Sequence, residues 1–223
     1  MSLHGKGMLA VYAEVKPHHE RDFHEWYNRE HIDERINLPG FHRARRYVAE
    51  RGSPKYLALY ECDSVGDLAH PDYLARLAHQ TPWSDRVTGR FTRFHRLTLA
   101  IKIDLTHGIG GLVTTVRFTP EAGLRSALLV WLHKTLAQAV ARPGVVGAAV
   151  GENDVDTANA PLREKSRDNP KAEDAEWVVM LEGSDARALT AACKALSLAT
   201  LKKFGVTKAP QVGVYRFLFG NQR

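Results

Sequence analysis

The chain repeats itself once. Residues 9–102 and 112–219 follow one plan: strand, helix ending in Pro-Gly, strand, strand, helix, strand. Leu9–Pro17 (LAVYAEVKP) aligns with Leu112–Pro120 (LVTTVRFTP), and Pro39-Gly40-Phe41 with Pro143-Gly144-Val145. Tyr56–Cys62 (YLALYEC) aligns with Trp177–Gly183 (WVVMLEG), and Phe91–Leu97 with Val212–Leu218. An internal repeat constrains architecture before any local signal is weighed. The offset between copies grows from 104 at the Pro-Gly pair (39 to 143) to 121 at the third strand (56 to 177), so the second copy carries 17 more residues in its central hairpin. That segment, 153–174, is rich in Asp, Asn, Lys and Pro and has no apolar period, which predicts a solvated, mobile loop.

Each copy alternates βαββαβ, the ferredoxin-like unit. The predicted class is α+β: a first repeat over residues 1–106 and a second over 107–223, whose sheets face each other as an intrachain dimeric α/β barrel. Alternation puts Leu9, Val11, Ala13 and Val15 on one face of the first strand and Tyr12 on the other. In the third strand Leu57 and Leu59 oppose Tyr56 and Tyr60. Aliphatic faces are expected to pack on helices. The tyrosine faces are expected to meet the second sheet around a space suited to a small aromatic or polyene ligand. Local signals agree with the helices. Ser64 and Asp67 form a capping-box pattern, Thr119-Pro120 reads as an N-cap with Pro at the first helical position, and Gly40 and Gly144 punctuate helix ends.

Composition narrows the function classes. At 223 residues and 44% hydrophobic content the chain can bury a large core. It contains no apolar run of membrane-spanning length, and Met1–Gly7 does not read as a signal peptide. Cys62 and Cys193 make no disulfide framework, which points to reduced thiols and the cytoplasm. The net charge of +6 is spread along the chain, without a nucleic-acid-binding motif. The expected partner is a small-molecule ligand, with neither nucleic acid nor membrane; a homodimer of the two-repeat chain is compatible with the pattern.

Polar chemistry concentrates in residues 18–47, HHERDFHEWYNREHIDERINLPGFHRARRY. Glu20, His24, Asn28, His31 and Arg35 fall within about an 80° stripe of one helix. Phe23, Trp26 and Tyr27 lie beside it, whereas Ile32 and Ile36 lie nearly opposite Phe23. No single apolar stripe explains this helix: either it bends near Arg29, or its last turn meets a different partner. His31 is the candidate acid/base, since histidine titrates near neutrality; a structural histidine is the competing reading. The spacing of His24, Asn28 and His31 is poor for a metal site, and none is expected. Arg43, Arg45 and Tyr47 share a face of the second strand and could hold an oxyanion. Tyr12, Trp26, Asn28, Tyr56, Tyr60 and His95 are the candidate substrate-binding residues. The second copy replaces this cluster with Leu, Ala and Val, so a site is expected in the first copy alone.

The run W-Y-N-x-E-H-I (Trp26–Ile32), with L-P-G-F-x-R-A-R-R-Y (Leu38–Tyr47) and Y-L-A-L-Y-E (Tyr56–Glu61), resembles EthD-like members of the dimeric α+β barrel superfamily over about the first 100 residues. The resemblance implies that Trp26, Asn28 and His31 border a pocket. It also implies work without metal or organic cofactor on a small aromatic, lactone or polyketide-like metabolite. His31 would move a proton beside a carbonyl while Arg45 or Tyr47 stabilised the enolate. Isomerisation, cyclisation and oxygenation share that step. A binding or stress-related module without turnover, and a haem-binding or haem-degrading protein, are the alternatives.

Overall fold

The computed structural model describes residues 3–163 and 175–223. The first copy supplies β1 (Gly7–Val15), β2 (Phe41–Arg51), β3 (Tyr56–Cys62) and β4 (Phe91–Asp104). The second supplies β5 (Leu112–Phe118), β6 (Val145–Asn153), β7 (Trp177–Gly183) and β8 (Gln211–Gln222). All pairings are antiparallel, and the strands close into a barrel in the order β1-β3-β2-β8-β5-β7-β6-β4. Within each copy the order is that of a ferredoxin-like unit. The copies join along two seams, β2 with β8 and β4 with β6, where each copy's second strand meets the other's fourth. Closure leaves no sheet edge exposed.

Helices cover the outer face. In the first copy they are α1 (Glu20–Trp26), a π turn (Tyr27–His31), α2 (Ile32–Ile36), α3 (Pro71–Ala78) and α4 (Pro82–Thr88). In the second, α5 (Arg125–Val140) buries the stripe Leu128, Leu132 and Leu136. It is followed by α6 (Val155–Arg163), α7 (Ala186–Cys193) and α8 (Leu198–Leu201). The two Pro-Gly turns are equivalent. Gly40 and Gly144 adopt φ of 79° and 85°, and a Cβ on either would collide with the aspartate opening the helical segment after the third strand, Asp67 or Asp185. The Ser64–Asp67 capping box forms, with the Ser64 N–H donating to Asp67 Oδ2 at 2.7 Å, over a 3₁₀ segment, Val65–Ala69. At the first helical segment of the second copy the expected N-cap shifts. The Glu121 N–H bonds to the Phe204 carbonyl, which keeps Thr119-Pro120 outside the helix until Ala122.

The barrel interior differs from the expectation. Directly opposed residues of antiparallel strands share a face, and β1 pairs Tyr12 with Leu57 and Ala13 with Tyr56. Tyr12 therefore points inward together with Leu57 and Leu59, whereas Tyr56 and Tyr60 point outward under the helices. The interior is filled rather than open. At one end Tyr12, Tyr215, His95 and Arg117 cluster, with the Arg117 guanidinium 4.4 Å from the centre of the Tyr12 ring. Burial pushes the Tyr12 phenol up to about 12.

At the other end runs a buried ion chain. Glu61 accepts from Arg43 Nε and Nη2 at 2.9 and 2.8 Å, and Arg45 Nη2 lies 3.0 Å from it. Arg45 Nη1 continues to Glu182 at 2.7 Å. The two glutamates occupy equivalent positions in the two copies, and each also accepts a backbone N–H ahead of its own first strand, from His4 or Gly110. Opposite the large inward residues Arg43, Arg45 and Tyr47, the second copy offers Gly147, Ala149 and Gly151 at the matching places.

The hairpin insertion also differs from the expectation. Residues 155–163 are helical, not a loop; 164–174 lie outside the described residues. Asp154 Oδ1 accepts the Thr157 N–H at 2.8 Å, starting the helix, and Ala158 and Ala160 are buried. The helix of the second copy thereby packs on the first copy, against β4, α3 and the Val65–Ala69 segment.

The ion chain makes a direct prediction. Arg45→Met removes one cation from between two buried carboxylates, so the urea midpoint should fall by an amount equivalent to about 3–5 kcal/mol, the usual cost of an orphaned buried charge. A change within experimental error would show that the chain does not hold the halves together.

Candidate functional site

The helix that lacked one apolar stripe contains a π turn. The Ile32 N–H donates to the Tyr27 carbonyl, five residues back, in place of the usual four. One added residue per turn rotates the following segment, so that Phe23, Trp26 and Tyr27 before it and Ile32 and Ile36 after it all reach the same core. The bend expected near Arg29 is this turn, and His31 is its last residue.

His31 packs flat on Trp26, with ring centres 4.1 Å apart and planes at 26°, and meets the edge of Tyr27 at 5.2 Å. Its Nδ1 is buried and has no hydrogen-bond partner among the described residues. Burial, reinforced by the Arg35 and Arg46 guanidiniums, holds the imidazole well below the ordinary histidine value, so the ring is neutral at neutral pH.

His31 opens onto a cavity of about 410 Å³ between the outer face of the first sheet and its helices. Leu9 and Val11 of β1 form the floor, and Phe91, Phe94 and Arg96 of β4 form one side. Trp26, Tyr27, His31 and Arg35 form the second side, with Tyr73 and Leu77 of α3 and Asp85 and Thr88 of α4 closing the rest. Arg35 is 3% exposed, and its Nη1 finds no partner among the described residues. Its guanidinium lies 5.5 Å from the centre of the Tyr73 ring. The volume suits a small organic ligand, and the aromatic walls suit a planar one.

Of the nine predicted site residues, His31 and Trp26 line this cavity. Arg45 and Tyr47 do not. They point into the barrel, on the opposite side of the sheet from His31, because alternation along β2 sends only the neighbouring Arg46 toward the helices. The expected pairing of His31 with Arg45 or Tyr47 around one oxyanion is therefore corrected. Tyr12 is likewise inside the barrel. Asn28 is engaged by Arg46 Nη1 at 2.8 Å, and His24 lies 3.1 Å from Arg46 Nη2. Those two residues and His31 do not converge on one point, and among the described residues no group of three or more His, Cys, Asp or Glu side chains is arranged to hold a metal.

Tyr56 stacks on Phe23 at 4.8 Å, and Tyr60 stands edge-on to His31 at 6.2 Å, both behind the cavity wall. His95 sits at the barrel mouth, with Nε2 2.7 Å from Glu176. It borders a second, more polar recess with Arg93 and Arg117. Both cysteines are free, and burial raises each thiol, Cys193 to about 11.

Arg35, Arg96 and Tyr73 also line the cavity, beyond the candidate site residues named from the sequence. The signal for Arg35 was its spacing from His31, four residues on, which keeps it on the same helical side. The signal for Arg96 was its register: it stands opposite Val11, a residue of the helix-packed face.

No protein-family model matches the chain, and no curated protein matches it. Solved structures do match. An anthrone oxidase-like protein superposes with a TM-score of 0.69 at 15% identity, covering 100% of this chain and 95% of that one. A candidate monooxygenase from Fusobacterium nucleatum gives 0.61 at 9% identity, over 99% and 96% of the two chains. One from Lactobacillus acidophilus gives 0.59 at 12% identity, over 97% and 96%. Similarity at these identities speaks for fold alone. It extends over nearly the full length of each partner and over 97–100% of this chain, both repeats included. The chain has the fold of the dimeric α+β barrels, with both ferredoxin-like halves carried on one polypeptide.

Proposed function

We propose that the chain is a cofactor-independent oxygenase of planar aromatic ketones, with His31 as the base. The observation that carries this reading is the neutral, buried His31, which lines an aromatic cavity together with Arg35 and whose Nδ1 has no hydrogen-bond partner among the described residues. A neutral imidazole accepts a proton at whichever ring nitrogen carries none. A substrate methylene flanked by aromatic rings and conjugated to a ketone would lose a C–H proton to it. The electron pair moves to the ketone oxygen, and Arg35 stabilises the resulting enolate. Molecular oxygen, the co-reactant, takes electrons from that enolate. Overall, CH₂ plus O₂ gives C=O plus H₂O, with one oxygen atom retained in the product.

Oxygenation is preferred over isomerisation and cyclisation because the matching structures are described as anthrone oxidase-like and as monooxygenases. The EthD-like motif supports Trp26 and His31 as pocket residues, whereas Asn28 acts by bonding Arg46. The two-repeat chain is taken as the functional unit, with self-association into a homodimer to be read from its mass in solution. Its free thiols favour the cytoplasm.

The test uses anthrone and dissolved oxygen. The wild-type chain should speed oxygen uptake and anthraquinone formation above buffer autoxidation. His31→Gln should lower that rate by about 10²–10⁴-fold, the usual worth of a positioned proton-transfer group, while His133→Gln on the exposed face of α5 leaves it unchanged. Equal loss in both variants, or no acceleration at all, rules out the base. Binding without turnover would leave a binding module. A Soret band that appears with added haemin in the wild-type chain and is lost in His31→Gln would assign the same nitrogen to iron instead.

The pH dependence has a defined sign. His31 has a lowered value in the folded chain and an ordinary one, 6.5, when unfolded. Below that value the unfolded chain binds more protons, so stability is lost as pH falls and is retained above it. Between pH about 7.5 and about 5.5 the wild-type chain should lose about 1 kcal/mol through this group, and His31→Gln should lose correspondingly less. Urea midpoints at the two pH values check it; parallel losses in both chains would contradict it.

A further inference from the structure

We propose that the ligand of the first-copy cavity carries a carboxylate, and that Arg96 binds it. This rests on the reading of the cavity as a substrate site, but it concerns the end of the cavity that proton transfer does not use.

Arg96 stands on the outer face of β4 and lines the cavity. Two of its donors are fixed by the protein: Nη2 to the Tyr73 hydroxyl at 3.2 Å, and Nη1 to the Ala158 carbonyl at 3.4 Å. Its Nε is buried and has no hydrogen-bond partner among the described residues. Neither of these contacts is with an anion. Arg96 makes no ion pair among the described residues, and neither does Arg35, although both guanidiniums lie within 6 Å of the Tyr73 ring centre. Asp85 is the carboxylate on the same wall, and it has a partner of its own. With His31 neutral, the lining carries two cations against one anion.

A guanidinium stays charged at any accessible pH, and Arg96 is half-buried with no counter-charge from the protein among the described residues. Protein side chains supply that counter-charge elsewhere in this chain, as Glu61 and Glu182 do for Arg45. At Arg96 the second N–H of Nη1 and of Nη2, given to neither Ala158 nor Tyr73, is left for an acceptor that comes from outside. The two cavity arginines then divide their work. Arg35 acts on His31 electrostatically and so belongs to the enolate end. Arg96 is not among the groups that shift His31, and it answers a charge the substrate already has. The ligand is thus an aromatic keto acid, oriented with its ketone toward His31 and its carboxylate toward Arg96.

Titration calorimetry of the full chain with 2-naphthoate and its neutral counterpart 2-naphthamide tests this without turnover. Neither compound has a methylene proton to lose, so the result is independent of the His31 chemistry. The wild-type chain should bind the acid about 10–100-fold more tightly than the amide, the range expected for a hydrogen bond to a charged group. Arg96→Gln should abolish that preference while holding the amide affinity within about twofold, and Arg96→Lys should restore part of it. Equal affinities in the wild-type chain, or a preference that survives in Arg96→Gln, overturns the carboxylate and leaves the aromatic cavity standing. If neither compound binds, the carboxylate proposal falls, and the anthrone assay decides separately on the base. Circular dichroism of both variants establishes that they fold; should Arg96→Gln not fold, the acid-to-amide ratio of the wild-type and Arg96→Lys chains still decides.

Discussion

One guanidinium, that of Arg45, meets a carboxylate from each half of the chain inside a closed barrel. Charges this deep are tolerated only with good partners, and breaking such a set is far more costly than never having it. The chain therefore acts as a lock on the relative placement of the two sheets. It also occupies the volume that would otherwise make the barrel a container. With the interior taken by this chain and by Tyr12, Tyr47, Leu59, Met180 and Tyr215, the space left for a ligand is on the other side of the sheet, beneath the helices.

What opens that space is local. In the second copy an uninterrupted α5 lays Leu128, Leu132 and Leu136 onto its sheet, and Trp131 packs on Phe204 at 5.2 Å. In the first copy the helical layer is broken by the π turn and divided among short segments, and polar side chains reach the sheet. The same architecture thus carries an unbroken leucine stripe over one sheet and a cavity over the other.

The repeat, the strand faces of β1 and the location of the polar cluster could be read from the residues, because period-two alternation and Pro-Gly punctuation are local properties. The face of β3 could not. Leu57 and Leu59 look like helix-facing aliphatics until their pairing with Tyr12 is known, and pairing is a tertiary fact. The error propagated to Tyr56 and Tyr60. Arg45 and Tyr47 were placed correctly relative to each other on one face of β2, but which face met His31 again depended on register. The helix at 155–163 was hidden because its anchors are small residues, Ala158 and Ala160, whose burial depends on a neighbouring copy rather than on an apolar stripe of their own. Arg96 was hidden for the same kind of reason: its solvent-like sequence context, FTRFHRL, carries no sign of the cavity it borders.

The seams have a consequence for how the chain acquires its structure. Arg43 pairs with Gln222 and Arg51 with Val214, so the edge of β2 is satisfied by β8, the last strand of the second copy. During synthesis the first copy can form its own helix–sheet core early. It nevertheless keeps two unpaired strand edges, β4 until β6 has emerged and β2 until β8 has, and Arg45 lacks its second carboxylate until β7 is made. Contacts this distant along the chain slow folding and leave an exposed edge for the interval. A partly made first half therefore presents an open β2 edge able to pair with the same edge of another nascent copy, until β8 covers it.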